Sequence, residues 1–370
     1  MSSHISSQRC LILTARLRER AISILEQAVA NRVFPGASFA VTRGSEILTT
    51  SSAGRFTYEA DSPEVLPETA FDLASVTKVV ATTSMAMILY DRGKLDLNAN
   101  VIDRVPEFHN KGRDSRRRQI TFRMLLAHSS GLPGYARLFE KAQTSEALLQ
   151  AIYEMPLEAD PDTRAEYSDI GFILLGEALS RIAGEPLDEF CQREIFNPLQ
   201  MTITRYLPPE DWKSRIPPTV NDQQFRHRAI QGEVNDENAS VLGGVSAHAG
   251  VFSNVEDVSK FALCILGYGP QLFRRETVQL FVTRQNLPAG SSRALGWDTP
   301  SAPSQSGQYF SQSSCGHLGY TGTSLWIDIQ RQISITLLSN RTWPNAANQD
   351  IKQLRPKFHD AIMEELLKFQ

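Results

Sequence analysis

Two residues three positions apart open a route to nucleophilic chemistry. Ser75 and Lys78 lie in the stretch 71–90, FDLASVTKVVATTSMAMILY, and Ser75 is the only serine of the chain with a lysine three residues on. The apolar, helix-compatible run that follows ends at Asp91-Arg92-Gly93 and predicts a helix with Ser75 at or near its N-terminus. Residues three apart share a helix face, which sets the Lys78 side chain one turn behind the serine hydroxyl. A helix N-terminus offers free N–H groups and a partial positive charge, both favourable to an alkoxide and to an oxyanion beside it. A serine hydroxyl at its ordinary pKa is a weak nucleophile, and a desolvated neutral lysine takes its proton. Alone, the pair is a weak signal: a chain of this composition carries roughly one Ser-x-x-Lys by chance. An N-capping serine beside a solvated lysine is the bland alternative.

The elements around this stretch must position it. Residues 17–33 carry apolar residues at helical spacing and stop at Pro35-Gly36. Residues 37–42 and 46–52 read as strands joined at Arg43-Gly44-Ser45. After Gly93 the pattern is mainly helical: 95–105, 121–128, 145–155, 168–182 and 186–195, then an irregular, proline-bearing stretch 208–238 and a helix 255–266. Three strand-like runs follow at 294–298, 323–329 and 332–338, and a closing helix over 350–369. Strands at both ends must pair, because isolated hairpins are marginal. The expected fold is therefore α+β, an α/β sandwich. One antiparallel sheet from both chain ends (1–72 and 240–370) is flanked by the terminal helices, and a mainly helical domain (73–239) is inserted. Ligand sites favour such a seam.

Whole-chain properties narrow the function classes. The chain has 370 residues, 41% hydrophobic and 21% charged, enough for one or two ordinary globular domains. A net charge of −3 carries neither a nucleic-acid footprint nor a membrane surface. The one basic cluster, Lys111, Arg113, Arg116, Arg117 and Arg118, reads as a solvated loop. Cys10, Cys191, Cys264 and Cys315 lie far apart with no Cys-x-x-Cys, which fits a reducing compartment. The apolar patch 10–13 is too short for a signal-peptide core, and no run is long enough to span a bilayer, so the cytoplasm is the expected location. No metal-ligand spacing and no phosphate or dinucleotide fingerprint occurs, so no cofactor is expected.

Two further motifs join the first: Tyr167-Ser168-Asp169 at the start of a predicted helix, and His317-Leu318-Gly319 ahead of a predicted strand. In this order the three resemble the S-x-x-K, Y-x-N and K-T-G or H-x-G motifs of the serine β-lactamase and penicillin-binding protein superfamily. The likeness is greatest to the class C β-lactamase branch with its esterase and D-amino-acid peptidase relatives. The segments LLAHSSGLPGY from Leu125, YSDIGFILLGE from Tyr167, HAGVFSNVEDVSKFA from His248 and GHLGYTGTSLW from Gly316 extend the likeness over about 17–367.

The resemblance implies that Ser75 is acylated, that Lys78 shares its proton and orients it, and that Tyr167 is the general base, as a phenolate favoured by Lys78. Which of Lys78 and Tyr167 removes the first proton stays open. It also implies an oxyanion hole from the backbone N–H groups of Ser75 and Tyr320, the residue after Gly319. Asp169 stands where asparagine is usual and is expected to pair with Lys78 and hold it protonated, which favours Tyr167 as the base. His317 and Leu318 replace a lysine and a threonine, which removes a cation and a hydroxyl for a substrate carboxylate. Neutral esters are therefore expected to outrun benzylpenicillin, unless Arg341 in LLSNRTWP supplies the missing charge rather than lying on the surface, or His317 does so when protonated in acid. His128 reads as structural, Cys315 as a bland small residue, and His248 either as part of the cleft wall or as structural.

The implied function is a serine hydrolase acting through an acyl-enzyme on small esters or amides, with weak β-lactam hydrolysis. The alternatives are a true β-lactamase or D-Ala carboxypeptidase, and a non-catalytic binding descendant. The expected partner is a small ester, amide or β-lactam, with neither nucleic acid nor membrane.

Overall fold

The computed structural model describes residues 2–112 and 114–368. In it, β1 (Gly36–Arg43) and β2 (Glu46–Gly54) form the expected hairpin, turned at Gly44 with a left-handed φ of 58°. Three short strands, β3 (Phe71–Asp72), β4 (Arg205–Tyr206) and β7 (Val251–Ser253), pair in the order β3-β7-β4. A small ribbon joins β5 (Val220–Asp222) to β6 (Arg228–Ile230). The C-terminal strands are β8 (Ser314–Leu318), β9 (Ser324–Asp328) and β10 (Ile333–Ser339). They complete a five-stranded antiparallel sheet in the order β2-β1-β10-β9-β8, so both chain ends meet in one sheet as expected.

The period-two alternation of the strands builds two cores. Phe39 and Val41 of β1, Trp326 of β9 and Ile333, Ile335 and Leu337 of β10 face one side. There they meet Leu17 and Leu25 of α1 (Ser2–Ala30) and Phe358 and Ile362 of α10 (Ile351–Lys368). Complete burial of such side chains stabilises by about 1.5–3 kcal/mol each. The intervening residues Ala40, Leu325, Ile327 and Leu338 turn to the larger core, with the helical middle of the chain. Pro356 inside α10 has no N–H to donate, and the orphaned Lys352 carbonyl accepts from Gln305 Nε2 at 2.9 Å.

Five of the middle helices begin on side-chain caps. Thr121 caps α3 (Phe122–Leu126) after α2 (Ser84–Asp91), and Thr144 caps α4 (Ser145–Glu154). Ser168 caps α5 (Asp169–Ala183), which stops at left-handed Gly184; α6 (Leu187–Cys191) follows. Asp236 caps α7 (Glu237–Val241), Asn254 caps α8 (Val255–Ile265), and α9 (Arg275–Val282) closes the series.

Several local expectations are corrected. The stretch 71–90 is not one helix. It runs through β3, a 3₁₀ turn at Ala74–Val76 and a wider π-turn at Lys78–Thr83 before α2. Residues 95–105 form only a short 3₁₀ turn, because the Asp96 carboxylate takes the Asn98 N–H and the Val101 N–H goes to Ile120. Residues 294–298 are a tight turn through Gly296, not a strand, and only Asp298 bridges to Gly316. Neither α9 nor β8 was expected; Ser314–Leu318 lacks the β-branched alternation that marks a strand, and pairing with β9 makes it one.

The basic cluster is not wholly solvated either. Arg117 is buried and donates to the carbonyls of Tyr153 (2.6 Å), Phe108 (3.2 Å) and Met155; Arg113 lies outside the described residues. Cys191, Cys264 and Cys315 are buried free thiols, and the Cys10 side chain lies outside the described ones. Among the described residues no helix is long and apolar enough to cross a membrane.

Candidate active site

Ser75 is presented by a backbone turn that the rest of the fold holds in place. Ala74, the residue before it, has φ 46°, in the left-handed region that costs an alanine about 1 kcal/mol. Several hydrogen bonds offset that strain. The Asp72 carboxylate accepts from the Ala74 N–H (2.8 Å) and the Asn235 N–H (2.6 Å). Thr321 Oγ1 donates to the Asp72 carbonyl and Thr323 Oγ1 to the Leu73 carbonyl, each at 2.8 Å. Burial pushes the Asp72 carboxyl up to about 6, against the two N–H groups that lower it. The turn therefore rests on the segment after β8, and Gly319 is small because that backbone presses on it. A Cβ there would stand 1.9 Å from Thr323 Oγ1 and 2.5 Å from the Leu73 carbonyl.

Lys78 has no exposed surface. Its Nζ lies 3.0 Å from Ser75 Oγ, 2.7 Å from Asp169 Oδ1 and 3.0 Å from the His248 carbonyl. The carboxylate and the carbonyl only accept, so two N–H bonds are committed to them. The remaining vertex of the nitrogen faces Ser75 and is either a third N–H or the lone pair of an amine. Burial draws the Lys78 pKa below its ordinary value; the Asp169 carboxylate opposes this, as does Asp236, while Arg293 adds to it. The expected Asp169–Lys78 pairing is present.

Tyr167 precedes the cap of α5. Ser168 Oγ donates to the Pro133 carbonyl and accepts from the Gly171 N–H, while the Ser168 N–H donates to His128 Nδ1 at 3.0 Å. The His128 ring lies between the rings of Tyr167 (4.8 Å) and Phe172 (5.0 Å). His128 is thus structural, with burial holding it well below the usual imidazole range. Lys78 Nζ is 4.9 Å from the Tyr167 ring centroid and the Arg293 guanidinium 5.5 Å from it. Burial, then the Asp169 carboxylate, push the Tyr167 phenol well above its ordinary value, while a hydrogen bond with Ser75 and the charge of Arg293 act downward. Burial thus acts against the phenolate that the resemblance implies.

His248 joins the site through its backbone. Its ring is tied up, with Nε2 donating to Asp236 Oδ1 (2.9 Å) and Nδ1 paired with Ser246 Oγ (2.7 Å). Burial acts upward on the Asp236 carboxyl, but His248, the Ala239 N–H and Lys78 hold it below its usual range.

His317 is buried, its Nδ1 donating to the Leu318 carbonyl at 2.9 Å and its Nε2 without a partner among the described residues. Burial, then Lys78 and Arg293, hold it well below the usual imidazole range. These act against the cation expected of it in mild acid. Arg341 is not a surface arginine. It is buried, donates Nε to the Tyr320 carbonyl at 2.6 Å and stacks 4.5 Å from that residue's ring. Arg341 therefore lines the cavity, as the alternative that would supply the missing charge requires.

A cavity of about 750 Å³ gathers these residues: Ser75, Tyr167, Asp169, His317, Gly319, Tyr320 and Arg341 all line it. So do Tyr135, Asp236, Arg293 and Arg355, none of which the sequence motifs single out. Cys315 is buried in the larger core and is not part of that lining.

A family model, Beta-lactamase, matches residues 21–357. The chain belongs to the Beta-lactamase family. Within the family it is 31% identical over 373 residues to an N-acetylmuramyl-L-alanine amidase of Bacillus subtilis (strain 168), covering 91% of this chain and 83% of that protein. It is 32% identical over 302 residues to a provisionally named D-alanyl-D-alanine carboxypeptidase of Escherichia coli (strain K12), covering 74% of this chain and 69% of that one. Among solved structures it resembles EstCE1, a hydrolase with promiscuous acyltransferase activity, with a TM-score of 0.76 and 21% identity over 95% of this chain and 100% of that chain. The Beta-lactamase-family fold and a hydrolase follow from these likenesses.

Proposed function

We propose that this Beta-lactamase-family hydrolase acts through an acyl-enzyme on Ser75, with Lys78 as the first base and Tyr167 as the acid. The observation that carries this is the opposite displacement of the two groups beside Ser75. Burial lowers the Lys78 pKa and raises that of Tyr167. A pair pushed apart in this way divides into base and acid. Ser75 Oγ attacks the substrate carbonyl and its proton passes to the Lys78 amine. The developing oxyanion is held by the Ser75 and Tyr320 backbone N–H groups, each worth a few kcal/mol in such sites. The Tyr167 phenol protonates the leaving group as the carbonyl reforms, which leaves a phenolate and the Lys78 ammonium. Water then enters with the roles reversed, the phenolate taking its proton and the ammonium returning one to Ser75 Oγ, so that amine and phenol are restored.

The cavity suits esters or amides of small acyl groups, and its lining supports a seam between the sheet portion (1–72 and 240–370) and the inserted portion (73–239). Ser75, Tyr167 and Asp169 come from one, and His317, Tyr320 and Arg341 from the other. A second reading, a peptide or amide substrate like those named for the amidase and carboxypeptidase relatives, is favoured by Arg341, a cation for a peptide's terminal carboxylate. The test is turnover of 4-nitrophenyl acetate with fluorophosphonate labelling. Ser75→Ala is expected to abolish both while remaining folded. Retention of more than a few per cent of the rate refutes the assignment, and absence of labelling in the parent favours a non-catalytic descendant.

A further inference from the structure

Behind Lys78 stand the residue types of a second serine triad. Ser246 Oγ lies 2.7 Å from His248 Nδ1, and His248 Nε2 lies 2.9 Å from Asp236 Oδ1. A carboxylate only accepts, so Nε2 carries the proton and Nδ1 of the neutral ring accepts from Ser246. Residue types alone do not make a triad, because a nucleophile must reach its substrate. Ser246 exposes only 3% of its surface, and neither it nor His248 lines the cavity. That hydroxyl is closed to a substrate.

What the ring holds is its own backbone. The His248 carbonyl accepts from Lys78 Nζ at 3.0 Å. The two carbonyls before it are taken by other side chains, Ser246 by the Tyr206 hydroxyl (3.1 Å) and Ala247 by Thr82 Oγ1 (2.7 Å). The orientation of the third is left to His248 itself. Asp236 is fixed in turn, since its Oδ1 also accepts from the Ala239 N–H (2.8 Å) as the cap of α7. The Asn235 N–H beside it donates to Asp72, the carboxylate that holds the Ala74 N–H. One bonded path thus runs from the residue before Ser75, through Asp72, Asn235-Asp236 and His248, to Lys78. The charges of Asp169, Asp236 and Arg293 act on Lys78, which acts on His128 and His317; Asp72 and Glu237 neighbour Asp236.

We propose that Asp236 and His248 are positioning residues of the reaction: they fix the His248 carbonyl and, through it, the direction of the Lys78 nitrogen toward Ser75 Oγ. A misplacement on the ångström scale costs about 10² in rate. The proposal rests on the reading of Lys78 as the base and names what holds it.

The test uses 4-nitrophenyl acetate and the full chain. Asp236→Asn keeps an oxygen for both bonds made on Oδ1 and loses the charge, whereas Asp236→Ala loses the bonds as well. On the pH plateau kcat is expected to be at least about tenfold lower in Asp236→Ala than in Asp236→Asn, with KM little changed. Equal kcat in the two overturns the proposal. His248→Ala leaves the cap of α7 in place and gives the same comparison if Asp236→Ala does not fold. The double variant is expected to be no slower than the slower single one, because the two residues act as one chain; independent, additive losses overturn this. Fluorophosphonate labelling of Ser246 in Ser75→Ala would make the set a second nucleophilic site and overturn it too. If the parent turns over no ester, the hydrolase reading fails, and NMR titration of Lys78 in protein labelled with [13Cε]lysine judges the brace. Asp236 raises the Lys78 pKa, so the midpoint is expected to fall in Asp236→Asn. It is expected to fall further in Asp236→Ala, where the carbonyl loosens its hold on the ammonium. Identical midpoints in the two variants overturn the proposal.

Discussion

Asp169 and Lys78 form an ion pair of 2.7 Å in which the lysine has no exposed surface and the carboxylate retains 16% of its side-chain exposure. The carboxylate raises the Lys78 pKa against burial. Activity that needs the Lys78 amine rises with pH through an ionisation below the ordinary lysine value. Asp169→Asn removes the stabilisation of the ammonium, so the amine forms at lower pH and the rising limb of kcat/KM moves toward acid. A pH–rate profile checks it; a limb that stays in place or moves toward alkali removes Lys78 as the titrating base.

Tyr167→Phe deletes the hydroxyl and keeps the ring against His128, whose centroid is 4.8 Å away. The expected result is a kcat lower by about 10²–10⁴ with KM little changed, the usual worth of a proton transfer. Steady-state kinetics on 4-nitrophenyl acetate decide it, and an unchanged kcat removes Tyr167 from the reaction.

At Gly319 the space for a side chain is taken by Thr323 Oγ1 and the Leu73 carbonyl. Gly319→Ala forces the turn that carries Ser75 to shift. Misplacement on the ångström scale costs about 10² in rate, and kcat/KM is expected to fall by at least that much in a protein whose circular dichroism is unchanged. Full activity would show that the segment yields freely.

Burial, Lys78 and Arg293 all oppose a charge on His317 and hold it well below the usual imidazole range. An imidazole held below its usual range titrates only in stronger acid. Acylation by benzylpenicillin relative to the neutral ester is therefore expected to be constant from pH 7 down to pH 5. A rise centred near the free-imidazole value of about 6.5 would contradict the buried, neutral ring.

Arg117 serves stability and lies away from Ser75's cavity. Arg117→Ala leaves the carbonyls of Phe108, Tyr153 and Met155 without their donor. Urea unfolding is expected to show a loss of about 3 kcal/mol, from carbonyls left unpaired and packing removed. A loss under about 0.5 kcal/mol would mean that water replaces the guanidinium.

Much of the site was legible because its signals are local. Ser75 and Lys78 share one turn, and Asp169 follows Tyr167 by two residues, so their spacing survives whatever the rest of the chain does. The β1–β2 hairpin and the helices near 121–128, 145–155 and 168–182 were readable for the same reason. The helix expected over 71–90 was not, because Thr321 and Thr323 take up the carbonyls of Asp72 and Leu73 from some 250 residues away. Propensity in the segment itself contains no trace of those partners.

The sequence by itself determined which groups are present for chemistry: a serine with a lysine at i+3, a tyrosine at a helix start, and a third motif without its lysine. It also determined the antiparallel pairing of the two chain ends, since apolar alternation there needs a shared sheet. Only the tertiary structure decided how those groups are charged and what surrounds them. Burial lowers the Lys78 pKa, raises that of Tyr167, and holds His317 below the usual imidazole range. Packing of α10 on the sheet brings Arg355 to Gly319, 36 residues away, and the chain after β10 brings Arg341 to Tyr320. Desolvation and charge pairing depend on distances through space, and a charged residue on a helix or loop has no periodicity that reveals which cavity it will line.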